Sequence, residues 1–287
     1  MFAKYVSSKE LITACTQKYI YYKYRKNNFN KKILFNKYER NLYSENGEAG
    51  VILQIFKMLN KLYCGSFVEF GARDGMHQSN TFNLRLEYGW KGHLFDKVSS
   101  NKKINLYKEF FTKENIIKKF KKYNIKYKFD LLSIDVDGND HYLLEAILEE
   151  YNPTLIVVEF NNLINPELSY RIEYKKNFKW KYKDCYYGAS LKAFTKLTEK
   201  KYSLIHVCAN NAFFLKKGEK ILRKIPYKNS IKNLFKPRMP RSYFNKFNKE
   251  IIYPKHLVEH DKKINLTPVI KKTLLKHYSP KKKFIFY

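Results

Sequence analysis

Phe67-Val-Glu-Phe-Gly-Ala-Arg-Asp-Gly75 is an apolar run that breaks off into acid and a glycine-bounded turn. Two later segments have the same form, Asp130-Leu-Leu-Ser-Ile-Asp-Val-Asp-Gly-Asn-Asp140 and Thr154-Leu-Ile-Val-Val-Glu-Phe-Asn161. Short β-branched or aromatic runs that stop at acids, amides and glycine are how buried parallel strands read when their carboxyl ends open on a ligand crevice. Three acid-bearing strand ends predict one shared pocket.

Working outward, the apolar spacing of Val51, Ile52, Ile55, Phe56 and Leu59 predicts a helix that starts in Ser44-Glu-Asn-Gly-Glu48 and leads into a strand over Ser66–Phe70. Helices are expected over Thr81–Glu87, Lys113–Tyr123, His141–Glu150 and Ala189–Lys200, and strands over Lys91–Phe95, Leu131–Asp135 and Leu155–Phe160. Asn161–Tyr187 reads as a long connector. Ser203–Cys208 and Ala212–Lys216, split by Ala-Asn-Asn, read as a hairpin. Alternating strands and helices closed by a hairpin predict an α/β fold: a Rossmann-like, mostly parallel, doubly wound sheet with a C-terminal antiparallel hairpin. Trp90 is expected in the core.

The formal charge is +31, unevenly spread. Residues 1–48 carry 10 basic and 4 acidic side chains, residues 220–287 carry 19 and 3, and the middle carries 28 and 19. This divides the chain into a basic, Tyr-rich N-terminal extension (1–43, read as a helix and a connector), a central domain (44–219) and a basic C-terminal extension (220–287) to which no helices are assigned. The flanks suit a polyanion such as nucleic acid or an anionic surface, although heavy use of Lys, Asn, Tyr and Ile throughout is also what compositional drift produces. Four cysteines without CxxC spacing support neither a zinc site nor a disulfide scaffold, and suggest a reduced, cytoplasmic setting. Neither a signal peptide nor a membrane-spanning run is expected.

The turn Gly71-Ala-Arg-Asp-Gly75 fits the dinucleotide fingerprint poorly. A pyrophosphate needs amides and positive potential, and Glu69 and Asp74 would repel it. A ligand carrying an ammonium and a sulfonium gains from the same carboxylates, which describes S-adenosyl-L-methionine. Asp96, at the end of the second strand, is placed to accept hydrogen bonds from ribose hydroxyls.

With these residues in view, the chain resembles the FkbM-type methyltransferases. The resemblance rests on Phe67 to Thr81, Gly89-Trp-Lys-Gly92, Leu131 to Asp140, Val157-Val-Glu-Phe-Asn161, Gly188-Ala-Ser-Leu191 and Asn211-Ala-Phe-Phe-Leu215, in the family's order over roughly residues 44–217. It implies a class I fold and an S-adenosylmethionine-dependent O-methyltransferase acting on sugars, glycans or other small hydroxylated metabolites. By that resemblance Glu69, Gly71 and Gly75 would line the methionine side of the cofactor, Ser79 and Asn80 would stand at the next helix start, and Asp96 would take the ribose. The loop departs from the family's Asn-x-Gly, having Arg73-Asp74-Gly75.

Methyl transfer to oxygen needs a means of removing the hydroxyl proton. Asp135 and Asp137, with Glu159 and Asn161 on the neighbouring strand, could hold Mg2+ or Mn2+. An aspartate there could equally cap the following helix or bind substrate hydroxyls. His141 at the pocket rim is the alternative base, and His77 could touch substrate from the loop. An RNA methyltransferase using the basic flanks, or an inactive binding protein of the same fold, are the competing readings.

Overall fold

The computed structural model describes residues 34–162, 164, 166–180 and 186–236, and the backbone of short strands at 243–244, 251–252 and 284–286. The helix expected within residues 1–43 falls largely outside them. Eight strands organise the described domain: β1 (Ser66–Phe70), β2 (Lys91–Asp96), β3 (Leu106–Lys108), β4 (Leu131–Ile134), β5 (Leu155–Glu159), β6 (Tyr170–Ile172), β7 (Tyr202–Cys208) and β8 (Asn211–Lys216). All but β6 form one mixed sheet in the order β3-β2-β1-β4-β5-β8-β7. The first five run parallel, and β8 is antiparallel to both β5 and β7. The hairpin was expected; the strand order adds that its second strand, β8, is the one that joins the sheet beside β5.

Helices cover both faces. Alternation along each strand sends Phe67, Leu131 and Val157 to one side, where α1 (Glu48–Met58) buries Val51, Ile52, Ile55 and Phe56 and α2 (Phe82–Tyr88) buries Leu84. Val68, Leu132 and Val158 go to the other, under α3 (Ile116–Lys122), α4 (Asp140–Glu150) and α5 (Leu191–Thr198). Trp90 is buried as expected, edge-on to Phe56, with its indole N–H donated to the Leu62 carbonyl at 2.7 Å.

Two strands were not anticipated. β3 is only three residues long, and β6 lies inside the expected connector, where Tyr170 and Ile172 are buried but Arg171 is not. β6 pairs antiparallel with residues 284–286, so the end of the chain returns to this segment.

The described residues beyond the expected limits of the central domain pack on the same cores, through Phe35 on one side and Ile221, Leu234 and Phe235 on the other. Buried His206 of β7 joins the two extensions: its Nε2 lies 2.8 Å from Glu39, which also binds Lys236.

Strand order reverses between β1 and β4, the position at which open α/β sheets form a crevice at the carboxyl ends of their strands. Gly71 makes the crossing possible. It has φ +72°, and a Cβ there would lie 1.9 Å from the Asp135 carbonyl oxygen. Gly188 also has positive φ, but open space around it. Gly71→Ala is therefore expected to lower stability in urea denaturation by more than ~2 kcal/mol, and Gly188→Ala by only about 1 kcal/mol, the cost of the backbone conformation alone.

Candidate active site

Each of the four adjacent strands β2, β1, β4 and β5 delivers a carboxylate to the crevice end of the sheet: Asp96, Glu69, Asp135 and Glu159. Their surroundings differ, and so do their roles.

Glu69 is buried and turned towards the chain that follows the glycine loop. It accepts from Ser79 Oγ at 2.9 Å, from the Asn80 backbone N–H at 2.8 Å and from the Thr81 hydroxyl. Burial pushes its pKa up, against these three hydrogen bonds. Three of a carboxylate's roughly four acceptor positions are thus filled, leaving one on Oε1 for a ligand. Ser79 and Asn80 stand just before α2 and are buried, and the Asn80 amide also donates to Ser133 Oγ of β4 at 3.0 Å. Glu69 thus holds the loop in place.

Asp96 does comparable work on the other side. Its Oδ1 accepts from the Val98 and Ser99 N–H groups at 2.7 and 3.0 Å, and its Oδ2 from the Arg73 N–H at 3.1 Å. One acceptor position remains on Oδ2, enough for one hydrogen bond from a ligand rather than two. Gly75 has φ +80°, and a Cβ there would meet Ile104 Cδ1 at 2.7 Å. Asp74 caps the local turn through the Met76 and His77 N–H groups. The His77 ring beside it, with those N–H groups, holds the Asp74 carboxyl down at about 2, so His77 is committed to the loop.

The third set is different in kind. One carboxylate oxygen from each of Asp135, Asp137 and Glu159 lies within 4.8 Å of the others. Glu159 is buried; Asp135 and Asp137 keep some exposure. Asp137 reaches its place through a left-handed backbone, φ +57°. Burial, and then the neighbouring acids, push Asp135 and Glu159 well above the usual carboxylate range. Like charges this close oppose one another's ionisation, and a cation bound between them would favour the charged forms again. Asp140, at the start of α4, is buried and accepts from the Val136 and Gly138 N–H groups, both at 2.8 Å. It closes the 135–140 loop as a cap.

One expected site residue has another position. His141 is not at the rim. It is buried against Phe194, its Nδ1 lies 3.2 Å from Arg171 Nη1, and burial followed by Arg171 lowers its pKa to about 3. Burial and the adjacent guanidinium disfavour the imidazolium, which makes this histidine a poor proton acceptor. Asn161, expected as a metal ligand through its amide oxygen, is fully buried just beyond β5, and its amide nitrogen donates to the Tyr187 carbonyl at 2.9 Å, tying this end of the strand to the 186–190 segment.

Several contributors are absent from the sequence reading. Asn210, at the hairpin tip, donates to Glu159 Oε1 at 2.7 Å. Its Oδ1 faces Asn46 Nδ2 at 3.4 Å, and Glu48 accepts from both the Asn46 backbone and Asn211. Segment 44–48 therefore forms one wall of the site, and the charge of Glu45 acts on Asp135. On the opposite side Phe178 lies over Gly138, where a Cβ would come within 2.3 Å of the ring, and Asn139 donates to the Lys175 carbonyl at 3.0 Å. Only the insertion of β8 beside β5 brings Asn210 to Glu159, and no local pattern encodes it.

No protein-family model and no curated protein matches this chain. Among the described residues no helix is long and apolar enough to cross a membrane.

The raised acids fix a sign. The unfolded chain ionises near the ordinary carboxylate pKa, the folded one only well above it, so metal-free stability declines as pH rises between those values. Saturating Mn2+ is expected to remove that decline and to add ~2.7 kcal/mol at a hundredfold excess over Kd. Asp137→Asn should flatten the metal-free profile and lose the response to Mn2+, as read by thermal unfolding from pH 5 to pH 8.

Proposed function

We propose that this chain is an S-adenosylmethionine-dependent O-methyltransferase acting on a hydroxyl of a sugar, glycan or small hydroxylated metabolite. The observation that carries this reading is the row of four carboxylates at the ends of β2, β1, β4 and β5, across the switch point of the sheet. Such a row disfavours a pyrophosphate and favours a ligand with ammonium and sulfonium charges. Five parallel strands followed by an antiparallel pair agree with the class I arrangement that the FkbM-type resemblance implies.

On this reading the free acceptor position of Glu69 and the backbone around Gly71 serve the methionine end, and Asp96 Oδ2 takes a ribose hydroxyl. The methyl carbon would then be presented towards Asp135, Asp137 and Glu159, where the acceptor binds. The acceptor oxygen attacks the methyl group in line with the C–S bond. The C–O bond forms, the C–S electron pair returns to sulfur as a neutral thioether, and the hydroxyl proton leaves to a carboxylate. Asp135, Asp137 and Glu159 fit a divalent cation in ligand type and spacing, and Mg2+ or Mn2+ bound there would lower the pKa of the acceptor hydroxyl. Asn210 and Asp140 keep these acids in place whether or not a cation is bound.

The raised Asp135 carboxyl favours a second route, in which it accepts the proton itself without a metal. Transfer of a radiolabelled methyl group to a panel of sugars and hydroxylated metabolites tests the activity, and chelation separates the routes. Loss of turnover in EDTA with recovery in Mn2+ supports the metal; turnover that persists and rises with pH supports Asp135 as base. Asp96→Asn is expected to raise the KM for S-adenosylmethionine about tenfold, the value of one charge-assisted hydrogen bond. Absence of transfer to every acceptor, with cofactor bound, would favour an inactive binding protein.

A further inference from the structure

Within the central stretch 49–219 the excess of basic over acidic side chains lies in one run of sequence. Residues 97–128, the passage from β2 through β3 and α3 to β4, hold 11 lysines and 2 acids, whereas the rest of residues 49–219 holds 17 basic and 17 acidic side chains. All of the net charge of that central stretch therefore falls in this passage, of which Lys97 and Lys108 lie beside the carboxyl ends of β2 and β3. Lys119 and Lys122 are paired with Glu109, and Lys121 with Glu150. Lys97 and Lys108 are exposed and have no ion pair among the described residues.

Three exposed apolar side chains lie at the same end as the crevice. Val98 follows Asp96 and is 68% exposed; Phe110 follows β3 and is 45% exposed; Met76, in the glycine loop, is 38% exposed. Backbone hydrogen bonds fix the three segments to one another, since Asp96 takes the Val98 and Arg73 N–H groups on its side chain and the Glu109 N–H on its carbonyl at 2.8 Å. Lysine alone at a short edge strand is explained by protection of that edge. That protection gives no reason to expose Val98 and Phe110.

We propose that this rim, Lys97-Val98 with Lys108 and Phe110, is a docking surface for an anionic lipid bilayer, with the crevice facing the membrane. Lysine is a point charge suited to lipid headgroups, and apolar side chains between lysines are the pattern of interfacial insertion. Single-stranded nucleic acid would call for a series of aromatic stacking platforms, and of these three exposed side chains only Phe110 has a face to stack. The inference depends on the position of the crevice and not on methyl transfer, so it stands or fails separately from the activity.

Co-sedimentation of the full chain with vesicles tests it, using phosphatidylcholine alone and phosphatidylcholine with about one-third phosphatidylserine. Binding is expected only to the anionic vesicles. Lys97→Glu with Lys108→Glu, and independently Val98→Asp with Phe110→Asp, should each weaken it more than ~tenfold, given about fivefold per basic side chain at such a surface. Lys200→Glu with Lys217→Glu, near the start and end of the hairpin, should change it less than ~twofold, and unfolding midpoints verify that each variant is folded. The proposal is overturned if wild type ignores anionic vesicles, or if the rim variants bind them like wild type, which would assign the attraction to the basic extensions. It is also overturned if single-stranded RNA binds more tightly than vesicles and is lost in the same rim variants.

Discussion

The mutual repulsion of carboxylates at the ends of β4 and β5 is the constraint around which this end of the molecule is organised. Asp135, Asp137 and Glu159 bring oxygens within 4.8 Å of one another, with Asp140 buried beside them. Like charges enclosed together cannot all ionise without a counter-charge, and a formal charge of +31 does not supply one locally. The neighbourhood supplies neutral donors instead. Asn210 reaches Glu159 from the hairpin, and the backbone of residues 136–138 wraps Asp140. Donors of this kind stabilise the acids yet leave room for a cation, whether metal, sulfonium or ammonium.

That requirement explains why distant segments converge here. Inserting β8 beside β5 pairs Glu159 with Asn211 and so brings the hairpin tip over the site. Segment 44–48 is then held by Asn210 and Asn211 through Asn46 and Glu48. From the other side, residues 173–180 lie over the 135–140 loop through Phe178 and the Lys175 carbonyl. The crevice is walled by elements that are far apart in the chain and individually unremarkable in sequence.

The strands that matter most were legible because each is a run of β-branched or aromatic residues cut short by acid and glycine, and Gly71 and Gly75 do have the positive φ that such turns need. β3 and β6 were not, since three residues give too short a period to read. Side-chain direction was the larger gap. Glu69 lies at the expected strand end, but most of its hydrogen-bonding capacity is spent on residues 79–81. His141 follows the acid loop as foreseen, but one further step round α4 carries it beneath Arg171. Sequence spacing located these residues along the chain; register and helix phase decided which way they face.

The most direct test is calorimetric titration of the purified chain with S-adenosylmethionine, with NAD+ as the competing class of ligand. Saturable binding of S-adenosylmethionine and none of NAD+ is expected, because the carboxylates that attract a sulfonium repel a pyrophosphate. Binding of NAD+ in preference to S-adenosylmethionine would contradict it.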